Sequence, residues 1–546
     1  MAFTVPAVAD AIAAAIPDRP LLVQGDRVYT HAQVQERSNR LAAYLHAQGL
    51  GCHTPRAQLA GHQTGQDLMG IYAHNGPEYV EGMLGAFRAR VAPFNVNYRY
   101  VKGELQYLLA DAGATALLYH AEFAPRVAEI RADLPQLRVL IQIADASGNE
   151  LLPGAVDYDD ALASVAGNPP PVQADPDDLY VLYTGGTTGM PKGVLWRQHD
   201  IFVASFGGRD LYSGHTAESV DEIVEKARAN PGMKLMILPP LMHGAAQWAV
   251  MTALTTGQTV VFAEVANRFD ADAVVADIAR HQAAVITVVG DAMVRPLADA
   301  IERGTADVSS LNVVANGGAL LTPTAKQRLI DLKPGLIVVD GVGSSETGAQ
   351  MTHMSAPGVV STGTFKPGPD TCVVAEDFSR VLAAGHDGNG WLAQRGPVPL
   401  GYNGDPEKTA RTFPVVEGVR YAIPGDRARH LADGNIHLLG RDSVTINSGG
   451  EKIFAEEVET AVASHPAVAD VVVTGRPSDR WGQEVVAVVA LIPGAHADAE
   501  ELIAHAGTTL ARYKLPKAVV FRPAIERSPA GKADYRWAKE QATATP

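Results

Sequence analysis

Short apolar segments alternate with amphipathic, helix-like segments through most of the sequence, and this alternation limits the fold more than any other feature. Residues 27–50 begin as a strand and continue with Val34, Leu41, Leu45 and Leu50 at roughly helical spacing. The same order recurs through IYAHN, ATALLYH and LRVLIQIA, and later through AAVITVVG, LNVVANGG and LIVVDGVG. Strands that alternate with helices form mainly parallel sheets covered on both faces. We therefore predict an α/β fold with doubly wound sheets.

Changes in composition indicate how the 546 residues are divided, since a chain of this length exceeds what one hydrophobic core usually supports. Short strands separated by Gly, Pro and Asp turns occupy about 366–440, which is typical of a small β subdomain. We predict a large N-terminal domain over 1–441, which includes this β subdomain, and a smaller α/β C-terminal domain over 442–546. The segment 147–176 is rich in turn formers and acidic residues, so we expect a surface connection there.

Charge and cysteine content exclude several kinds of partner. The 60 acidic and 45 basic residues give a net charge of -15, which repels phosphate backbones, so we expect no nucleic acid partner. Cys52 and Cys372 lie far apart without a CxxC or Cys/His cluster, which favours a reducing cytoplasm over a disulfide framework or zinc site. No secretory signal and no membrane-spanning apolar run is recognisable, so we expect a cytoplasmic protein without an integral membrane segment. Whether the protein forms a homo-oligomer stays open.

The stretch YVLYTGGTTGMPKGV, from Tyr180 to Val194, carries the strongest functional signal. An apolar strand leads into a loop that offers backbone N–H groups, three hydroxyls and one ammonium, as a bound triphosphate requires. The Walker spacing fails, because Pro191 precedes and Gly193 follows the lysine. A Gly/Thr-rich surface turn is the alternative interpretation. The candidate phosphate contacts are Thr184, Gly185, Gly186, Thr187, Thr188 and Lys192.

This loop resembles the YTSGTTGxPKGV signature of the adenylate-forming superfamily, which contains acyl-CoA synthetases, nonribosomal adenylation domains and luciferases. Gly185 replaces the usual Ser, which removes a hydroxyl and adds backbone freedom. The resemblance implies phosphate contact by Thr184, Thr187, Thr188 and Lys192, with Thr184 also near Mg²⁺. It further implies that ATP activates a carboxylic acid as an acyl adenylate with release of pyrophosphate, and that the acyl group then passes to coenzyme A.

Two further segments follow in the family's order. NGGALL at 316–321 resembles the glycines against which the adenine packs, and VDGVGSSETG at 339–348 resembles the segment whose carboxylate binds Mg²⁺, here Glu346. A solvated loop carboxylate is the alternative for Glu346. Val342 replaces the aromatic residue that stacks on adenine, which weakens stacking. The resemblance assigns nucleotide contacts to Gly317, Gly318, Ala319, Asp340, Gly341, Val342, Gly343, Ser344 and Ser345.

PPLMHG at 239–244 resembles the family's segment at the entrance of the acyl pocket. A purely structural histidine is about as common there as a pocket residue. No basic or acidic anchor for a second polar group is evident, so an apolar monocarboxylate of medium or long chain is favoured. The loop variant, the insertion before PPLMHG and the SPAGKADYRWAKE ending resemble actinobacterial fatty-acyl and steroid side-chain CoA ligases, which adds branched or sterol-derived acids. The expected acyl pocket residues are His243, Gly244, Gln247, Trp248, Gly317 and Gly343.

The last motifs resemble the family's ribose, hinge, CoA and adenylation segments. Asp426 would accept from both ribose hydroxyls, although Pro424 replaces the usual Thr, and Arg441 would contact ribose or phosphate. Ser443 stands at the hinge, where Asp or Lys is common. In the family the C-terminal domain is mobile and rotates between the two half-reactions. Gly449, Gly450 and Lys452 would line the CoA path, and Lys532 would be the adenylation lysine.

Two other functions stay open. One is an acyl-AMP ligase that loads a carrier protein, although the sequence contains no carrier domain of its own. The other is a non-catalytic nucleotide-binding protein, which only Gly185, Val342 and Ser443 encourage. Catalysis is favoured instead because the residues that the family's reaction uses are retained, namely Lys192, Glu346, Asp426, Arg441 and Lys532.

Overall fold

The computed structural model describes residues 2–186, 189–210, 213–319, 321–360, 363–448, 451–478, 481–527 and 533–544. None of the helices in these ranges is long and apolar enough to cross a bilayer. The helices are α1 (Val5–Ala15), α2 (His31–Ala47), α3 (Pro77–Arg88), α4 (Lys102–Asp111), α5 (Ala124–Ile130), α6 (Tyr158–Ala163), α7 (Gln198–Ser205), α8 (Val220–Ala229), α9 (Gly244–Thr255), α10 (Ala271–His281), α11 (Gly290–Glu302), α12 (Pro323–Leu332), α13 (Pro406–Thr412), α14 (Ala455–Ala463), α15 (Ala499–Ala506) and α16 (Tyr535–Thr543).

The strands follow the alternation that the sequence predicts. They are β1 (Pro20–Gln24), β2 (Arg27–Thr30), β3 (Leu68–Tyr72), β4 (Ala92–Asn95), β5 (Ala116–His120), β6 (Val139–Ile143), β7 (Ala155–Asp157), β8 (Leu179–Gly186), β9 (Gly189–Arg197), β10 (Lys234–Ile237), β11 (Thr259–Phe262), β12 (Val285–Val288), β13 (Val313–Gly317), β14 (Ile337–Ser344), β15 (Gly348–Ser355), β16 (Thr364–Pro367), β17 (Thr371–Ala375), β18 (Val381–Leu382), β19 (Gly390–Gln394), β20 (Gly401–Tyr402), β21 (Val415–Val416), β22 (Val419–Arg420), β23 (Asp426–His430), β24 (Ile436–Arg441), β25 (Ile446–Ser448), β26 (Glu451–Ile453), β27 (Val468–Ser478), β28 (Gly482–Leu491) and β29 (Ala518–Phe521).

The segment 27–50 shows why the local prediction is right. Thr30 and Gln33 form a capping box that begins α2, because each side chain accepts from the other residue's backbone N–H. The apolar residues at helical spacing lie on the buried face of α2 and just beyond its end, as predicted: Val34, Leu41, Leu45 and Leu50.

Two large sheets build most of the fold. The eight-stranded sheet has the order β20-β9-β8-β4-β3-β5-β6-β7, and its strands from β8 to β7 are parallel neighbours. The fourteen-stranded sheet contains a parallel run of β1, β11, β10, β12, β13 and β14. The largest hydrophobic cluster joins α1, α2, α3 and α9 to both sheets, through Ile71, Leu182 and Ile237 among others. This confirms the predicted doubly wound α/β fold.

Antiparallel strands extend the fourteen-stranded sheet beyond β14. Strands β15, β16, β24, β23, β19, β17 and β18 follow in that order, so most strands of the turn-rich region 366–440 form the antiparallel end of this sheet. Strand β20 instead pairs with β9 in the eight-stranded sheet, and β21 pairs with β22. Its own small core contains Phe365, Val373, Leu392 and Ile436. The region is β structure, as expected, while its continuity with the parallel strands depends on long-range pairing that the sequence pattern does not reveal.

The last part of the chain is a compact α/β unit. Strands β25–β29 form a five-stranded sheet, and Val458, Val462 and Leu502 from the helices pack against it. The fold class is therefore confirmed here too. The unit contacts the preceding part at α11, because the Arg295 guanidinium donates to the backbone oxygen of Val468 at 3.2 Å.

The expected surface connection over 147–176 is only partly right. It contains β7, which pairs in parallel with β6, and α6, where Tyr158 is buried. The Tyr158 hydroxyl donates to the buried carboxylate of Glu81 at 2.7 Å. Pairing with a neighbouring strand and burial of one aromatic ring outweigh the turn-forming composition of this segment.

Candidate active site

The predicted phosphate loop is a hairpin of β8 and β9. The sequence suggested an open loop from Thr184 onward, but β8 continues to Gly186 and β9 begins at Gly189. Thr184 lies opposite Lys192 in the antiparallel register, and a register irregularity follows at Gly185. The hairpin therefore brings two of the predicted phosphate contacts together. Thr187 and Thr188 lie outside the described residues.

Lys192 has an acidic partner that sequence reasoning missed. Its ammonium lies 3.3 Å from Oδ1 of Asp111, at the end of α4. The Tyr107 hydroxyl donates to the same oxygen at 3.2 Å, and the Tyr183 hydroxyl donates to Oδ2 at 2.9 Å. Burial lowers the pKa of Lys192, but Tyr107 and Asp111 outweigh it and the net pKa is raised, so the lysine stays charged. No local signal reveals Asp111, because it lies 81 residues before its partner.

Glu346 lies in the turn between β14 and β15. The buried indole of Trp196, on β9, donates to the backbone oxygen of Ser345 at 2.8 Å. The Tyr402 hydroxyl donates to Oε1 of Glu346 at 2.7 Å. Both contacts fix the acidic turn to the phosphate hairpin, since β20, which contains Tyr402, pairs with β9. The predicted metal-binding carboxylate is thus joined to the strand that carries Lys192.

The predicted adenine segment lies at the ends of two parallel strands. Gly317 on β13 is opposite Gly341 on β14, and Gly318 adopts a φ of +81°, which favours glycine. Asn316 organises this corner, because its amide nitrogen donates to the Ala319 backbone oxygen at 3.1 Å. The two strand ends therefore bring the predicted nucleotide contacts of Gly317 and Gly341 together.

Asp340 has structural partners in this corner. The Asn316 amide donates to Oδ1 of Asp340 at 2.9 Å, and the ammonium of the fully buried Lys326 lies 2.5 Å from Oδ2. A buried ion pair of this kind neutralises a carboxylate that would otherwise be costly to bury. The predicted nucleotide contact of Asp340 stays a prediction. Its contacts with Asn316 and Lys326 give the residue a structural role that does not depend on a nucleotide.

Val342 and Gly343 both contact other parts of the protein, which gives each residue a structural role besides the predicted ligand contact. Val342 packs against the small core that contains Met351 and Phe365. A Cβ atom on Gly343 would lie 2.3 Å from the backbone oxygen of Gly348, so the close approach of β14 and β15 requires glycine there. Ser344 is paired with Gly348 at the base of the same turn.

The predicted acyl pocket residues begin α9. His243 is the residue before the helix, and a Cβ atom on Gly244 would lie 2.6 Å from the Leu182 side chain. Gln247 is buried, and its amide contacts the Tyr79 and Tyr180 hydroxyls and the Leu241 backbone oxygen. Both polar atoms of the Gln247 side chain are therefore hydrogen-bonded within the core. Trp248 is partly buried against the largest hydrophobic cluster.

Asp426 and Arg441 are neighbours on β23 and β24. The Arg441 Nε donates to Oδ1 of Asp426 at 3.2 Å, and the charges of Asp426 and Glu346 raise the pKa of Arg441 although burial lowers it. The Arg441 backbone N–H donates to Glu456 of α14 at 3.2 Å. Ser443 lies in the 3-10 turn Asp442–Val444 that follows β24. Gly449, Gly450, the Lys452 side chain and Lys532 lie outside the part of the chain that is described.

Comparisons with known proteins agree with this geometry. The profile of the AMP-binding enzyme family matches residues 9–402, and that of the AMP-binding enzyme C-terminal domain matches residues 457–532. Medium-chain acyl-CoA ligase Mig of Mycobacterium avium is 75% identical over 541 residues, covering 99% of this chain and 98% of that protein. The 3-oxocholest-4-en-26-oate--CoA ligase of Rhodococcus rhodochrous is 39% identical over 539 residues, covering 96% of this chain and 93% of that protein.

Solved structures with low sequence identity share the fold. The anthranilate CoA ligase AuaEII, solved in complex with anthranoyl-AMP, superimposes with a TM-score of 0.83 at 22% identity, covering 100% of this chain and 98% of that one. ATP-bound MatB from Rhodopseudomonas palustris gives a TM-score of 0.78 at 22% identity, with coverage of 98% and 99%. At these identities, the likeness concerns architecture alone.

Proposed function

This chain belongs to the AMP-binding enzyme family, and we propose that it is an ATP-dependent acyl-CoA ligase. Its reaction would activate a carboxylic acid as an acyl adenylate, release pyrophosphate and then transfer the acyl group to coenzyme A. The observation that carries the proposal is the joining of Lys192 and Glu346 through β9 and Tyr402. A cation on a Gly/Thr-rich hairpin beside a carboxylate suits a magnesium triphosphate.

Adenylation needs positioning and charge compensation more than covalent catalysis. The acid's carboxylate oxygen would attack the α-phosphorus of ATP, and the bond from that phosphorus to the bridging oxygen would break as pyrophosphate leaves. Lys192 would offset the growing charge on the leaving phosphates, and the Thr184 hydroxyl would donate a hydrogen bond to the same phosphates. The Asp426 and Arg441 pair would orient the ribose. No protein nucleophile is required.

The residues present suit Mg²⁺. Thr184 and Glu346 would hold it through oxygen atoms, which this ion prefers, and it would supply charge neutralisation at the phosphates. Across the described ranges, no cluster of three His, Cys, Asp or Glu residues could hold a metal on its own. A metal bound by one carboxylate together with substrate phosphates is the arrangement that such a site favours.

For the acid, we propose an apolar monocarboxylate of medium or long chain, including branched or steroid side-chain acids. The name of the relative from Mycobacterium avium supports medium-chain acids, and the name of the relative from Rhodococcus rhodochrous supports steroid side-chain acids. The pocket would be lined by His243, Gly244 and Trp248, whereas the hydrogen-bonded Gln247 would act by supporting its wall. ATP and coenzyme A are the co-substrates, and the two unpaired cysteines fit a reducing compartment such as the cytoplasm.

The two half-reactions would use different faces of the C-terminal unit. We propose domains over 1–441 and 442–546, which agrees with profile matches ending at 402 and beginning at 457. Lys532 would act in adenylation and Gly449, Gly450 and Lys452 in thioester formation, with rotation about Ser443 between them. Lys532→Ala would then abolish adenylate formation but spare thioester formation from supplied acyl-AMP. Equal loss of both half-reactions would refute this division.

Two assays test the function. Pyrophosphate release with ATP, coenzyme A and a library of acids should reveal activity on apolar acids, and no release with any acid would leave the non-catalytic alternative. Competition between coenzyme A and a phosphopantetheinyl carrier would separate the ligase from an acyl-AMP ligase that loads carriers. The relatives' names favour coenzyme A.

A further inference from the structure

Helix α13 follows β20, the strand that pairs with the phosphate hairpin, and it carries a lysine outside the recognised motifs. Lys408 is in the first turn of this helix, which follows β20. Strand β20 pairs with β9 through Gly401 and Tyr402, and the Asn403 backbone N–H donates to the Gly193 backbone oxygen at 2.8 Å. Three consecutive residues therefore attach the start of this segment to the strand that carries Lys192.

The Lys408 ammonium lies 4.0 Å from the centroid of the Tyr402 ring. That ring is buried, and its hydroxyl donates to Oε1 of Glu346 at 2.7 Å. The Tyr402 backbone N–H donates to the Thr409 hydroxyl at 2.9 Å, which fixes the ring to the helix. A cation over the face of an aromatic ring is held by the ring's quadrupole while its own N–H donors stay available. Tyr402 thus carries Lys408 on its face and Glu346 at its tip.

Lys408 differs from Lys192 in its ionic partners. Within the described ranges, no carboxylate oxygen lies within the 4.0 Å ion-pair distance of the Lys408 ammonium, whereas Lys192 is paired with Asp111. Burial lowers the pKa of Lys408, the charges of Glu346 and Asp405 raise it, and the charges of Lys192 and Arg411 lower it further, so the net pKa is lowered. These influences agree with the geometry, in which Tyr402 contacts both Lys408 and Glu346 and its strand pairs with the strand that carries Lys192. A half-buried cation without a carboxylate at ion-pair distance is costly unless an anion binds there.

We propose that Lys408 is a second phosphate-binding lysine, which contacts the β- and γ-phosphates of ATP and then the departing pyrophosphate. The inference depends on the proposed function, because it assumes that the hairpin binds a triphosphate. It extends that function by adding a cation that no sequence motif identifies. Asp111 neutralises part of the charge of Lys192, so the polyphosphate needs a further cation, and the Tyr402 ring links Lys408 to Glu346.

The test compares Lys408→Met, which keeps the apolar stem, with Lys408→Arg, which keeps the charge. Arg411→Met is the matched control, because Arg411 is an exposed cation on the same helix. We expect Lys408→Met to raise the KM for ATP and the Ki for pyrophosphate about tenfold each, the typical loss for one charge-assisted contact. The KM for the acid and the Ki for AMP should stay unchanged, since neither AMP nor the acid contains the β- and γ-phosphates. Lys408→Arg and Arg411→Met should both resemble the unmodified protein.

Direct binding of magnesium pyrophosphate, measured by calorimetry without acid or coenzyme A, separates this inference from the proposed function. About tenfold weaker pyrophosphate binding in Lys408→Met supports the inference even if no acid is turned over. Unchanged pyrophosphate binding in a folded Lys408→Met overturns it. A parallel rise in the Ki for AMP would also overturn it, because that result indicates a general disturbance of the site. If Lys408→Met does not fold, Lys408→Gln in the same calorimetry decides between these outcomes.

Discussion

The buried ion pair between Lys326 and Asp340 can be perturbed in a way that separates structure from nucleotide binding. The Lys326 side chain has no exposed area, and its ammonium lies 2.5 Å from the Asp340 carboxylate. Asp340 is a predicted nucleotide contact at the end of β14. Lys326→Met would leave the carboxylate buried and uncompensated, whereas Lys326→Met combined with Asp340→Asn would remove both charges.

Removing one partner of a buried ion pair typically costs about 3–5 kcal/mol of unfolding free energy. The Asn316 amide still donates to Oδ1 of Asp340 at 2.9 Å, so we expect Lys326→Met to fall near the lower end, about 3 kcal/mol. In the double variant the residue at position 340 is neutral and keeps the Asn316 contact. We therefore expect it to recover most of the loss and to remain within about 1 kcal/mol of the unmodified protein.

Urea unfolding followed by circular dichroism measures the three free energies on one scale. If Lys326→Met costs less than about 1 kcal/mol, or if the double variant is no more stable than Lys326→Met, the ion pair does not act as argued. The KM for ATP of the stable double variant gives a second result. We expect it to stay within about twofold, because Lys326 and Asn316 already engage Asp340. A large rise would instead support direct nucleotide contact.

Three further predictions concern separate parts of the protein. Asp111→Asn removes the anion that competes for Lys192, so the KM for ATP should fall by up to about fivefold in steady-state kinetics. Trp196→Phe removes the donor to the Ser345 backbone oxygen and should cost about 1–3 kcal/mol in urea unfolding. Burial raises the pKa of Glu459 from 4.5 to about 8, so the folded state binds the extra proton. The free energy of unfolding should therefore fall as pH rises across this window, by up to about 1.4 kcal/mol per pH unit. Glu459→Gln should flatten that part of the curve of unfolding free energy against pH. An unchanged curve in the variant would contradict the assignment.

Local physics determined much of the fold from the sequence. The apolar residues at helical spacing in the segment 27–50 correctly predicted the strand-to-helix order of β2 and α2, and the glycine-terminated apolar segments correctly predicted β12, β13 and β14. Such features depend on residues a few positions apart, so they are visible in the sequence. The family was also recognisable there, because its motifs are short and occur in a fixed order.

The partners of the site residues depended on the tertiary structure. Asp111 meets Lys192 across 81 positions, and Tyr402 meets Glu346 across 56 positions. No spacing rule connects residues so far apart, since sheet order and strand register bring them together. By itself, the sequence determined which groups are available for phosphate chemistry and that strands and helices alternate around them. The tertiary structure decided which charges neutralise each other and left Lys408 on the Tyr402 ring, because long-range strand pairing, not local propensity, sets distances between side chains.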